Sequence, residues 1–122
     1  MRSAEEKLEF KRKLERRTAD FAVRTFRLLD SMPACASSKV MAFQLGKSAS
    51  SIGANYREAN RAESGDDFRH KVSIALKECS ESLYWLELLT QLHQESSDVS
   101  SLAKECEELL KLFQTIRRRV AA

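Results

Sequence analysis

Val99, Leu102, Cys106, Leu109, Phe113, Ile116 and Val120 recur at steps of three and four residues. That spacing brings an apolar side chain to one face of an α-helix at every turn. It constrains the fold more than any other feature of the chain. Ala103 and Leu110 widen the stripe. Three earlier segments carry the same signature. In the first, Leu14, Phe21 and Leu28 fall seven residues apart, with Thr18, Thr25 and Met32 between them. The second runs Met41, Leu45, Ser48, Ile52, Asn55, Ala59, Ala62. The third runs Phe68, Val72, Ala75, Cys79, Ser82, Leu86, and Leu76, Leu83, Tyr84, Trp85, Leu88, Leu89 and Leu92 give it a broad second face.

Three breaks separate these segments. Ser31-Met32-Pro33-Ala34 holds the only proline, whose ring blocks the preceding turn of a helix. Ser64-Gly65-Asp66-Asp67 reads as a glycine stop followed by a carboxylate-rich start. His93-Gln94-Glu95-Ser96-Ser97-Asp98 is polar and offers Ser96 or Ser97 as an N-cap. The breaks predict helices over roughly 4–31, 37–63, 66–93 and 97–121, each about 40 Å long at 1.5 Å per residue. Four such helices with short loops pack antiparallel. The expected fold is all-α, a single up-down-up-down four-helix bundle over residues 1–122.

Composition narrows the class further. Three glycines and one proline are too few turns for a β-sandwich. Apolar residues make up 43% and charged residues 32%, a globular balance. No apolar run approaches the ~18 residues that span a bilayer. The start, Met1-Arg2-Ser3-Ala4-Glu5-Glu6, is not a secretory signal. A cytoplasmic protein without a membrane partner is the expectation. Cys35, Cys79 and Cys106 form no CxxC pair, and buried structural thiols are expected of them.

Motifs for catalysis are weak. Gly46-Lys47-Ser48 resembles the end of a phosphate loop, but Met41 stands where that loop needs a glycine, and no strand precedes it. Glu78-x-x-Glu81 and Asp67-x-x-His70 come nearest to a di-iron pattern. Asp67, in a first helical turn, is explained by the helix dipole alone. Neither His70 nor His93 has an evident nucleophile partner. The sequence therefore predicts no enzyme, no catalytic residue, no metal and no cofactor.

The second helix carries a polar line, Gln44, Ser48, Ser51, Asn55 and Glu58, beside its apolar stripe. Glu78, Glu81 and Ser82 on the third helix have matching spacing. An interhelix network that fixes register is expected, because unpaired buried polar groups cost a few kcal/mol each. A ligand or partner site is the alternative. Ala42, Gly46, Ala49 and Gly53 form a small-residue stripe that admits a close helix, in the same bundle or in another subunit. Tyr84, Trp85, Leu88 and Leu89 exceed one core stripe and suit either the core or an oligomer contact.

Two stretches resemble a known family. They are Gln44-Leu45-Gly46-Lys47-Ser48-Ala49-Ser50-Ser51-Ile52-Gly53-Ala54-Asn55-Tyr56-Arg57-Glu58-Ala59, and Asp67 to Glu78 continuing through Glu81-Ser82-Leu83-Tyr84-Trp85-Leu86. The family is the four-helix-bundle proteins encoded in intervening sequences of bacterial 23S ribosomal RNA genes, related to the accessory variability determinants of diversity-generating retroelements. Ser-Ile-x-x-Asn-x-x-Glu, residues 51–58, is the most specific element. The resemblance implies a homopentamer and, in the retroelement branch, contact with nucleic acid and a reverse transcriptase through a basic surface. It implies no catalytic residue.

The net charge of +3 conceals an asymmetry. An antiparallel bundle gathers residues 1–17, 55–72 and 110–122 at one end, with fifteen basic and eight acidic side chains, a net of +7. The remainder carries −4. Lys11, Arg12, Lys13, Arg16, Arg17, Arg61, Arg117, Arg118 and Arg119 are the candidate nucleic-acid ligands. Dipole complementarity explains part of the arginine run, and Glu9 can pair with Lys13 at i,i+4. Neither effect requires the excess to gather at one end. RNA or DNA, met through phosphates with little sequence preference, is the expected partner. An oligomeric protein scaffold without nucleic-acid binding is the alternative.

Overall fold

The structure is a computed structural model that describes residues 2–92 and 96–120. The predicted helix ends at 93 and 121, and His93 itself, lie outside the described residues. Four α-helices follow in order: α1 Ala4–Ser31, α2 Ala36–Ala59, α3 Gly65–Leu92 and α4 Ser97–Val120. There is no strand among the described residues.

Local chemistry sets the boundaries. Ser3 Oγ accepts from Glu6 N and Glu6 Oε1 accepts from Ser3 N, both at 3.1 Å, a closed capping box. Met32 turns extended ahead of Pro33, as the ring requires. Ser38 Oγ accepts from Cys35 N at 2.8 Å and donates to Pro33 O at 2.8 Å, starting α2. Ser96 is the N-cap of α4, its Oγ accepting from Val99 N at 3.1 Å.

The α2–α3 connection departs from expectation twice. The second helix ends at Ala59, not 63, because Arg61 N and Ala62 N reach back three residues to Glu58 O and Ala59 O. Gly65 is not a helix stop. It is the first residue of α3, and Ser64 caps it by accepting from Asp67 N at 3.1 Å. No glycine has a positive φ, so none serves as a left-handed C-cap.

The stripes meet in one core. Leu14, Phe21 and Leu29 of α1 face Leu45, Ile52 and Tyr56 of α2, Val72, Ala75, Cys79 and Leu86 of α3, and Leu102, Cys106, Leu109 and Phe113 of α4. The α1 stripe steps from Thr25 to Leu29; Leu28 is half-buried. Thr18 and Thr25 are fully buried, and their hydroxyls donate to Leu14 O and Phe21 O one turn back.

Residue pairs fix the topology. Gly53 meets Thr18 and Gly46 meets Phe26, so α2 runs against α1. Ser48 meets Ser82 and Glu58 meets Lys71, so α3 runs against α2. Arg17 meets Glu105 and Arg24 meets Ser101, so α4 runs against α1. Consecutive helices share the large interfaces, and α1 with α4 the smallest. Gly46, Ala49 and Gly53 of the small-residue stripe are buried inside the bundle, whereas Ala42 is exposed; a Cβ on Gly53 would stand 2.9 Å from Thr18 Oγ1 and 3.2 Å from its Cβ.

The thiols divide. Cys79 and Cys106 are buried, and Cys106 Sγ donates to Cys79 O at 3.2 Å. Burial pushes both up, Cys106 to about 12. Cys35 corrects the expectation of a buried thiol. It is exposed at the start of α2, and hydrogen bonds with Ser37 and Ser38 lower it to about 7.

Candidate nucleic-acid interface

The antiparallel order brings the start of α1, the end of α2, the start of α3 and the end of α4 to one end. At that end α1 outruns α2. Asn60 Nδ2, just past α2, donates to Glu15 Oε2 at 3.0 Å. Residues 4–13 of α1 therefore stand beyond the last turn of α2, about 15 Å of helix. Along residues 2–13 every side chain is exposed except half-buried Phe10. The Arg2 guanidinium lies 4.5 Å over the Phe10 ring. The Arg17–Glu105 register sets this extension level with the last two turns of α4.

Lys11 and Arg12 on this stretch, and Arg16 just after it, are exposed and form no ion pair among the described residues. Lys13 lies 3.3 Å from Glu9, both about two-thirds exposed, so the pair holds it weakly. Arg117, Arg118 and Arg119 are exposed in the last turn of α4. Arg118 also donates to Thr115 Oγ1 at 3.3 Å. Arg117 and Arg118 border a shallow groove with Leu76 and Gln114.

Two of the nine candidates stand apart. Arg17 is committed to the protein: its Nε and Nη2 donate to Glu105 at 2.7 Å each, and Nη2 also reaches Glu108 at 3.2 Å. The Glu105 hydrogen bond comes first among the causes that raise its pKa. Arg61 is exposed but sits in a mixed cluster with Arg57, Glu58, Glu63, Asp67 and Lys71. Residues 55–72 carry four charges of each sign. The whole excess of +7 therefore belongs to the ends of α1 and α4, and residues 55–72, from the end of α2 into α3, are neutral.

Across α2 and α3 the polar line makes one buried contact, Ser82 Oγ donating to Ser48 Oγ at 2.9 Å. Ser51 Oγ and Asn55 Nδ2 donate to their own helix, at Lys47 O and Ser51 O, both at 2.8 Å. Glu58 pairs with Lys71 at 3.2 Å on the surface. Gln44 and Glu78 are half-buried and Glu81 is exposed. Burial, then the Glu81 charge, raises the Glu78 pKa. Among the described residues no three His, Cys, Asp or Glu side chains converge on a metal-sized site, and no helix is long and apolar enough to cross a membrane.

Sequence reasoning missed the partners of Arg17. Glu105 and Glu108 precede the buried Cys106 and Leu109 by one position, as Arg17 precedes Thr18. Charges flanking two facing stripes are the signal that pairs them.

A family model described as 23S rRNA-intervening sequence protein matches residues 10–115. Among solved structures, the chain is similar to a protein with unknown function from the S23 ribosomal protein family of Bacteroides thetaiotaomicron VPI-5482. The two are 36% identical, with a TM-score of 0.75, over 84% of this chain and 96% of that one. No curated protein matches.

Proposed function

The chain belongs to the 23S rRNA-intervening sequence protein family, and on that premise we propose that it is a non-enzymatic, homo-oligomeric bundle contacting RNA or DNA through the α1–α4 side of its basic end. The observation that carries this reading is the set of exposed cations on two adjacent helix ends. Among the described residues Lys11, Arg12 and Arg16 have no carboxylate partner, and neither do Arg117, Arg118 and Arg119. Helix-dipole stabilisation accounts for cations in the last turn of α4, but not for the α1 row. Several copies around an axis multiply the field. A pentamer is the assembly the sequence resemblance implies, and a reverse transcriptase is a further partner it implies.

Binding of labelled RNA and DNA to the full chain, titrated with salt, tests the reading. Affinity should fall linearly on a log–log plot against salt concentration. Arg117→Glu, Arg118→Glu and Arg119→Glu together should weaken binding while the helical circular-dichroism spectrum stays unchanged. Unchanged affinity removes α4 from the site, and no binding at low salt removes the function. Native mass measurement tests the pentamer.

A protein scaffold is the second reading. Val23, Phe26, Val40, Phe43 and Tyr84 are exposed apolar side chains, Phe43 at 66%. They lie away from the basic end, where contact with another chain would leave the cations free.

A further inference from the structure

We infer that the basic end takes double-stranded rather than single-stranded nucleic acid, and takes it through phosphates alone. This rests on the nucleic-acid reading above and deepens it.

The inference starts from where the aromatic rings are. Single strands are held by bases stacked on exposed rings, worth about 1–3 kcal/mol per base. At the basic end Tyr56 and Phe113 are buried against each other, ring centroids 5.4 Å apart. Phe68 is half-buried against the core, and Phe10 is half-buried with Arg2 over its face. The exposed imidazole of His70 stands on α3, within the neutral stretch 55–72. The strongly exposed rings, Phe26, Phe43 and Tyr84, belong to the opposite half of their helices. Among the described residues the cations therefore have no free ring between them, and a base turned toward this surface finds no ring to stack on.

Phosphates are what the surface can engage, and a duplex presents them most densely, about one charge per 1.7 Å of axis. The cations also extend along the bundle. The Arg17–Glu105 and Arg24–Ser101 pairs set Arg117, Arg118 and Arg119 level with residues 3–8 of α1, so the cations from there to Arg16 spread over about 18 Å of axis. A row of that length spans about ten duplex phosphate charges, and it needs no base contact and no unstacking. RNA and DNA duplexes share this chemistry.

The test is fluorescence anisotropy of the full chain at low salt with four probes of about 20 nucleotides per strand: an RNA duplex, a DNA duplex, oligo(U) and oligo(dT). At least one duplex should bind about tenfold or more tightly than both single strands. Lys11→Glu with Arg12→Glu, and separately the triple α4 reversal, should each weaken the duplex and lower its salt slope. A preference between the two duplexes identifies the source of the phosphates, and either preference supports the proposal. Single strands binding as tightly as the duplexes would overturn it while leaving nucleic-acid binding intact. Failure of all four probes would overturn both.

Discussion

The α2–α3 and α1–α4 interfaces of this bundle are held by different forces. Between α2 and α3 the contact is extensive, and a buried hydroxyl pair, Ser48 with Ser82, sits inside it. Between α1 and α4 the contact is the smallest in the bundle, and polar links bridge it: Arg17 to Glu105 and Glu108, and Arg24 to Ser101. Burial and dispersion stabilise the first at any ionic strength. Charge stabilises the second in a way that salt weakens. The side of the bundle that carries the surplus cations is also the side held by charge. A polyanion that docks there competes for the same field that closes the seam.

Five substitutions test this contrast, from the largest effect to the smallest. Leu86→Ala, one turn beyond Ser82 and fully buried, should cost about 2–5 kcal/mol in urea unfolding, equally at low and high salt. Arg17→Met leaves Glu105, whose side chain is only 15% exposed, without its partner. A loss of about 1–2 kcal/mol is expected at low salt, and a smaller one in ~1 M salt, where the exposed part of the pair is screened. An Arg17→Met loss that ignores salt would mean that packing holds the α1–α4 seam as well. Ser82→Ala should cost about 0.5–1.5 kcal/mol, and the double change with Ser48→Ala should cost less than twice that, because no hydroxyl is left unpaired. Additive losses would show that the two hydroxyls do not act as a pair. Glu78→Gln should raise the melting temperature slightly at pH 7. The raised pKa of Glu78 means that its favourable contribution is present below the ordinary carboxylate range and lost as pH rises through the raised value. The advantage of the glutamine should therefore vanish at about pH 3.

The fold was legible because burial and spacing coincide. Leu14, Phe21, Leu45, Ile52, Val72, Cys79, Leu102 and Leu109 are buried where their three- and four-residue steps place them. The α2–α3 connection was not, because a glycine marks both a helix end and a permissive first turn. Only Ser64, accepting from Asp67 N, decides that Gly65 opens a helix. The candidate site was legible as a count of charges and illegible as a set of partners. Nothing near Arg17 in sequence shows that carboxylates 88 and 91 residues away would claim it. Nor does spacing show that Ser51 and Asn55 turn back to their own backbone, an option open to any short polar side chain in a helix. Cys35 escaped for a similar reason: its exposure follows from the turn around Pro33, which has no periodicity to read.

The ranking of the interfaces also sets an order of events. Every large contact joins helices adjacent in the chain, so little loop entropy is spent before contacts form. That pattern belongs to domains that fold within microseconds to milliseconds. Helix α1 is an outer member of the series, and its second seam is the weakest. Its amides from Leu14 to Leu29 should therefore exchange with deuterium ahead of those of α2 and α3, as one block, and sooner in concentrated salt.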